Sequence, residues 1–236
     1  MNKYLVNIDT VTKQTGTPFN CTVLFTQHHR RVRSVSLKNA QIPLGFYNIR
    51  SPYNTFTANS TTYTVTPGNY SIAGLMTTLS TATGLTFANS YANNTVSVTG
   101  SNAITVYTRT SPPDLGALLG FSNATVSVST GSGASNIVTA QSCFNINPDM
   151  YINIWLQNIG TSSQETTQCS FKIPLNGLIN GVVYWNESGQ NVCRIDVTDS
   201  SVIIDRMIIT VTDRFGNVLN NNGLDWSMTL EIEADN

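Results

Sequence analysis

Two adjacent histidines, His28 and His29, are the only imidazoles that this chain offers for metal binding or acid–base chemistry. Neighbouring side chains on a strand point to opposite faces, so these two are not expected to ligate one metal ion. The four cysteines, Cys21, Cys143, Cys169 and Cys193, include no CxxC pair and so lack the spacing of a metal site. A cupin-like metal oxygenase is therefore not favoured.

Other catalytic patterns are also missing from the sequence. It contains no Gly-x-Ser-x-Gly elbow, no Walker loop and no dinucleotide fingerprint. Asp196, Asp199 and Asp205 lie close together, and a glycosidase needs two carboxyl groups facing each other across a cleft. Aspartates at such positions more often cap turns, which is the interpretation we favour. We predict no catalytic residue, no cofactor and no metal, and hence a protein that is not an enzyme.

Positive charge is concentrated in one place, which we call the basic segment: His28, His29, Arg30, Arg31 and Arg33, with Lys38 nearby. The favoured interpretation is an exposed edge strand, where charges discourage unwanted pairing. The alternative is contact with an acidic neighbour or with nucleic acid. A net charge of −1 makes the whole chain a poor general binder of nucleic acid.

The composition is poor in charge. Only 11% of the 236 residues are charged, against about 25% in an ordinary soluble domain, so the surface must consist mainly of Asn, Thr, Ser and Gln. Interface cores are depleted of Lys and Glu, and this composition therefore suits repeated contact between subunits, or equally a secreted or fibre-type β protein. We expect no signal peptide, no membrane span and reduced thiols, because no long apolar run is present.

Alternation of apolar and polar residues dominates the chain. Met150–Leu156 would bury Ile152, Ile154 and Leu156, and the run from Trp226 would bury alternate residues up to Ile232. Val202–Val211 is a β-branched run that could be buried on both faces. Weaker predicted strands are Thr22–Thr26, Val32–Leu37, Thr62–Val65, Thr95–Thr99, Ala103–Tyr107, Thr125–Ser129, Cys169–Ile173 and Val182–Tyr184. Many short strands separated by Gly, Asn and Pro turns indicate an all-β sandwich or barrel.

Helix signals are few. Ser71–Leu79 has apolar residues at helical spacing, with Ser71 as the N-cap. Asp114–Leu119 is predicted to form a short turn after Pro112 and Pro113 break the chain. Residues 122–136 are rich in Ser, Gly, Thr and Ala and are predicted to form a surface loop.

Four local patterns occur in order along the chain: Thr66–Ile72, Leu118–Phe121, Ile208–Asn217 and Asp225–Glu233. Together they resemble the penton, or minor capsid, proteins of virophages, Polinton-type elements and related large DNA viruses. The residues that carry the resemblance, which we interpret as structural, are Pro67, Gly68, Tyr70, Leu119, Gly120, Phe121, Asp213, Gly216, Asp225 and Trp226.

This resemblance implies a single jelly-roll β-sandwich domain over residues 1–236, with one or two short helices in loops. It implies a homopentamer at the five-fold vertices of an icosahedral capsid, assembled inside the host cell beside a double jelly-roll major capsid protein. Lumenal nucleic acid and other minor capsid proteins are further partners that it allows. Some members carry an insertion domain at the outer tip, for which this chain has little room beyond residues 122–136.

The motif residues also have physical roles. Pro67 and Gly68 suit a sharp turn, Gly120 suits a backbone conformation that is closed to other residues, and Asp213 with Gly216 suits a hairpin turn. Trp226 would bury a large apolar area. The competing interpretation is a receptor- or glycan-binding sandwich, for which Tyr184-Trp185-Asn186-Glu187 would supply the contacts.

Overall fold

The computed structural model describes residues 1–109, 113–122, 136–157, 159, 170–176, 181–188, 193–197 and 202–235. These residues form mostly antiparallel strands with a few short helices, which confirms the all-β prediction. The strands are β1 (Asn2–Asp9), β2 (Thr15–Thr17), β3 (Asn20–Arg30), β4 (Val32–Pro43), β5 (Thr55–Ala58), β6 (Thr61–Thr64), β7 (Thr86–Ser90), β8 (Thr95–Gly100), β9 (Val106–Tyr107), β10 (Asn136–Thr139), β11 (Tyr151–Gln157), β12 (Phe171–Pro174), β13 (Val182–Asn186), β14 (Cys193–Asp196), β15 (Ile203–Thr212) and β16 (Ser227–Ala234). The helices are a 3-10 turn (Thr10–Thr12), α1 (Ile72–Thr83) and α2 (Leu115–Leu118).

The chain divides into two compact units. The sandwich unit comprises Met1–Phe46 and Asp149–Asn236, and the inserted unit comprises Tyr47–Pro148, between β4 and β11 in chain order. The expectation that the chain has little room for an insertion beyond residues 122–136 is therefore wrong. Residues 123–135 of that predicted loop lie outside the described residues. A single domain over residues 1–236 stays a prediction, because a division by contacts does not show whether the units unfold together.

The sandwich unit contains two sheets. The first sheet has the order β1-β16-β4-β13, with β14 also paired to β4, and the second sheet has the order β12-β11-β15-β3-β2. If β13 and β14 count as one position and the short β2 is set aside, the two sheets contain eight strands, four in each. Their positions are 1-8-3-6 in the first sheet and 2-7-4-5 in the second, which is the jelly-roll connectivity. This confirms the predicted jelly roll for the sandwich unit.

The core of the sandwich unit lies between these two sheets. Met228, Leu230 and Ile232 of β16 are buried, as are Ile152 and Ile154 of β11, so the strands predicted from alternation are confirmed. β15 differs from the suggestion that both its faces could be buried. Ile204, Met207, Ile209 and Val211 are buried while Ile203 is half exposed, because each sheet of a two-layer sandwich meets the opposing sheet with only one of its faces.

The inserted unit has its own hydrophobic core. Two three-stranded sheets, β6-β5-β9 and β10-β8-β7, accompany α1 and α2. Ser71 caps the N-terminus of α1, since its hydroxyl accepts a hydrogen bond from the Gly74 amide at 3.1 Å, and the helix buries Leu75 and Leu79. Asp114 caps α2 in the same way through the Ala117 amide at 3.0 Å. Both predicted helical segments are confirmed.

Candidate interaction surfaces

The histidines and aspartates considered for chemistry lie on different strands of the sandwich unit, His28 and His29 on β3 and Asp196 on β14. Among the described residues, no cluster of three or more His, Cys, Asp or Glu side chains could hold a metal ion. His28 is exposed and His29 is buried, so they lie on opposite faces as predicted. Asp196 accepts a hydrogen bond from Arg194 at 2.8 Å, whereas Asp199 lies outside the described residues. No helix in the described part of the chain is long and apolar enough to span a membrane.

Pro67, Gly68 and Tyr70 form the turn that leads into α1. The Gly68 amide donates to the Ile49 carbonyl oxygen at 2.9 Å, and Ile49 donates back to Gly68 at 3.2 Å. The Tyr70 hydroxyl donates to the Thr66 carbonyl at 2.9 Å and so closes the turn around the proline. These residues fix the backbone of the inserted unit.

Leu119, Gly120 and Phe121 end α2. Leu119 and Phe121 are buried in the core of the inserted unit, where the Phe121 and Phe56 rings lie 6.3 Å apart. Gly120 has φ +89°, a conformation that L-residues disfavour. Its carbonyl accepts a hydrogen bond from the Ser142 amide at 3.0 Å. The glycine therefore allows two backbone segments to approach closely.

Asp213 and Gly216 form the turn after β15. The Asp213 carboxylate is fully buried and accepts hydrogen bonds from the amides of Phe215 at 2.8 Å and Asn217 at 2.9 Å. The carboxylate thus holds the predicted hairpin turn through these main-chain donors.

Asp225 and Trp226 immediately precede β16. Asp225 accepts hydrogen bonds from the Thr10 hydroxyl at 2.9 Å and from Lys13 at 3.2 Å. The Trp226 side chain is buried, its indole N–H donates to the Pro18 carbonyl at 2.7 Å, and its ring packs edge-on against Phe19. Asp225 and Trp226 thus hold the segment between β1 and β3 against the start of the last strand.

The outer face of the first sheet carries a connected set of charges, which we call the charged patch: Lys3, Lys38, Glu187, Arg194, Glu231 and Glu233. The β1–β16 register places Lys3 opposite Glu233 and next to Glu231. Lys3 Nζ lies 2.9 Å from Glu233 and 3.3 Å from Glu231. Sequence reasoning missed this patch because its members are far apart in the chain, as are Lys3 and Glu231 with a separation of 228 residues. The only local signal was the Glu-x-Glu spacing of β16.

The Glu233 carboxylate has three side-chain partners at the charged patch. Hydrogen bonds from Lys3 and from the Ser34 hydroxyl (3.0 Å), with the charge of Arg194 at 3.1 Å, lower the pKa of its carboxyl from 4.5 to about 2. The same contact raises the pKa of the Lys3 ammonium. The patch therefore stabilises the outer face only while its carboxylates are ionised.

Acid should weaken this patch in a defined window. Because the pKa of folded Glu233 lies below the unfolded value, its contribution is complete above pH 4.5 and is lost as pH falls toward 2. Glu233→Gln should cost about 1–3 kcal/mol at pH 7 and make the loss of stability between pH 4.5 and 2 shallower than in the wild type. Urea unfolding across this range measures both effects. An unchanged pH dependence in the variant would show that Glu233 does not titrate with folding.

The side chains of the basic segment are divided among buried, ion-paired and exposed positions. His29 is buried, and Arg33 is paired with Asp235 at 2.6 Å. Arg31, with φ +50°, makes the turn between β3 and β4. Arg30 and Arg31 are exposed and form no ion pair within the described residues. Since β2 pairs with only the first three residues of β3, the rest of β3 is an edge, and a contact role for the segment stays a prediction.

Two of the four residues proposed for glycan binding are exposed on one face. Tyr184 is 64% exposed and Asn186 follows it at the two-residue spacing of that face, whereas Trp185 is buried and Glu187 is held by Lys38 at 2.7 Å. Glycan binding by this stretch stays a prediction.

Comparison with known proteins gives a structural match rather than a sequence match. No family model matches this chain, and no curated protein matches it. The crystal structure of the mavirus penton protein matches over 100% of both chains with a TM-score of 0.52 and 8% sequence identity. The resemblance inferred from the sequence motifs is thereby confirmed at the level of structure: over its whole length, this chain has the fold of the mavirus penton protein.

Proposed function

We propose that this protein is a structural virion protein, a penton subunit whose pentamer occupies the five-fold vertices of an icosahedral capsid. The observation that carries the proposal is the full-length structural match to the mavirus penton protein. A match over the full length includes both the jelly roll and the segment between β4 and β11, which a chance likeness between two sandwiches would not require.

The structure suits a subunit that works by contact. The sandwich unit has a continuous apolar core between two sheets, which makes it rigid. The middle of the outer face of the first sheet carries Asn7, Asn39, Asn186 and Thr229 in one register row. Uncharged polar groups of this kind can bind a neighbour without the cost of desolvating charges. Five copies related by a closed rotation would use head-to-tail contacts of this sort.

The proposed partners follow from the same role. They are further copies of this chain and a double jelly-roll major capsid protein, with other minor capsid proteins or lumenal nucleic acid as additional contacts. Interfaces of permanent assemblies commonly bury about 2,000 Å² or more. We propose that the purified chain is a monomer or a pentamer and that the major capsid protein drives its final placement, in virions assembled inside the host cell.

Mass photometry and electron microscopy test the proposal directly. We expect pentamers with five-fold class averages, either for the purified protein at high concentration or after addition of the cognate major capsid protein. Co-expression should place this chain at the vertices of the resulting particles. A monomer at every concentration, unchanged by the major capsid protein and absent from its particles, would contradict the role.

A further inference from the structure

A groove of about 460 Å³ runs along one side of the sandwich unit, between the edge strands of its two sheets. We call it the edge groove. Residues 3–7 of β1 form one wall, and residues 25–27 with His29 of β3 form the other. None of the described residues that line it is acidic. Lys3 is shared with the charged patch, whose other members do not line the groove.

The β1 wall presents unused backbone groups. The Thr10 amide donates to Trp226, and the β1–β16 register continues from that pair. Because bonded and non-bonded pairs alternate along an antiparallel ladder, the even-numbered residues of β1 bond to β16. The N–H and C=O groups of Lys3, Leu5 and Asn7 therefore point away from the sheet, and none of them bonds to another described residue.

The β3 wall is irregular. Leu24 pairs with Arg206 and His29 with Ile204, so residues 25–28 lie opposite Asp205 alone. This bulge interrupts the regular hydrogen bonding between β3 and β15. Bulges commonly occur where a side chain is redirected or where strand pairing ends. It brings Phe25 and His29 to the groove, where their ring centroids lie 6.0 Å apart.

His29 supplies a polar group without a partner at the groove. The residue is 5% exposed, and its Nδ1 atom has no hydrogen-bond partner among the described residues. Tyr4 packs against the imidazole at 4.9 Å from the other wall. A buried polar atom left unpaired costs free energy, and a ligand in the groove that hydrogen-bonds Nδ1 would remove that cost.

We propose that the edge groove binds an extended, acidic peptide segment of another protein, which adds to β1 as a further strand. Its backbone would pair with Lys3, Leu5 and Asn7, whose outward groups repeat at the two-residue spacing of a strand, about 7 Å. One side chain or backbone group would reach His29 Nδ1. Its acidic end would lie near Arg30 and Arg31, which follow His29 and have no carboxylate partner in the described part of the chain. This inference does not depend on the penton role.

A peptide fits this site better than nucleic acid does. A row of alternating N–H donors and C=O acceptors matches another peptide backbone, whereas the carbonyl oxygens would repel phosphates. Among the described residues, the proposed site uses Arg30 and Arg31 at one end, and phosphate binding depends on several such contacts. The apolar parts of Tyr4, Val6 and Phe25 suit the β-branched and aromatic side chains of a strand.

Binding can be measured by fluorescence anisotropy on the full chain. The probe is a library of labelled nonapeptides that alternate Val, Ile or Tyr with Thr, and that carry two Asp or Glu residues at either end. We expect at least one acidic group of peptides to bind below about 1 mM. The same peptides with N-methyl groups at alternate residues should bind at least about tenfold more weakly, because they lack the backbone donors.

Variants on the protein side separate the parts of the site. Leu5→Pro removes an outward N–H without breaking a bond to β16 and should weaken binding about five- to tenfold, whereas Leu5→Thr retains that N–H and should not. Arg30→Glu should weaken acidic peptides severalfold, while the same change at exposed Arg206 should not. Circular dichroism confirms folding, and the N-methylated peptides test the site even if Leu5→Pro fails to fold.

Three results would overturn the inference. The first is that no peptide of the library binds by about 1 mM. The second is that N-methylated and unmodified peptides bind equally well, which would exclude strand addition. The third is that a single-stranded 12-mer DNA binds more tightly than any peptide, with binding that is lost in the Arg30→Glu variant and unchanged in the Leu5→Pro variant. That result would identify this end of the unit as a nucleic-acid contact.

Discussion

Replacing Trp226 by alanine should lower the free energy of unfolding by about 3–5 kcal/mol. The side chain is only 3% exposed, packs edge-on against Phe19 with ring centroids 6.1 Å apart, and donates its indole N–H to Pro18 at 2.7 Å. Alanine would leave a cavity at the start of β16 and a buried carbonyl without its donor. Urea unfolding followed by circular dichroism measures the loss.

Trp226→Phe is the matched control for this prediction. Phenylalanine keeps an aromatic ring in the core but cannot donate to the Pro18 carbonyl, so about 1–3 kcal/mol should be lost. The difference between the two variants in free energy of unfolding then measures the cost of the cavity. If Trp226→Ala melts within about a degree of the wild type, far less than such a core loss should cause, the residue does not anchor the core of the sandwich unit.

Some of this fold could be read from the sequence because the information is local. Alternation along β11 and β16 gives both the strand and its buried face, and the Ser71 cap with Leu75 and Leu79 gives a helix. Strand β1 was missed, although Tyr4, Val6 and Ile8 alternate, because Leu5 between them is also apolar and turns out to be 70% exposed. An exposed apolar residue in a short strand removes the period that marks its buried face.

The division into two units could not be read in this way. Alternation shows which face of a strand is buried but not which strands share a core. The core residues on either side of Phe46 are of the same types, and no linker composition marks the boundary before Tyr47 or after Pro148. The charged patch and the edge groove need non-local register, since Lys3 meets Glu233 only once β1 pairs with β16.

Gly120→Ala should destabilise the inserted unit by at least about 2–3 kcal/mol. Its φ of +89° is unfavourable for alanine, and the added Cβ would collide with the carbonyl oxygen of Ser142. That oxygen belongs to a backbone held by the Ser142–Gly120 hydrogen bond at 3.0 Å, so it cannot move aside without losing the bond. Calorimetry of the full chain measures the effect as a fall in melting temperature.

Gly84→Ala separates the two causes. Gly84 caps α1 in the same unit with φ +71°, but no atom lies within 4 Å of the Cβ that alanine would add. This variant should show the conformational cost alone, about 1 kcal/mol. If both substitutions destabilise the protein equally, the collision with Ser142 adds nothing to the cost of Gly120→Ala.

The same calorimetry decides whether residues 1–236 are a single domain. If they are, Gly120→Ala in the inserted unit and Trp226→Ala in the sandwich unit both lower one common transition, since cooperative unfolding spreads a local loss over the whole chain. Two transitions, of which each variant moves only its own, would show that the two cores unfold independently. The chain would then be a jelly roll that carries a second domain between β4 and β11.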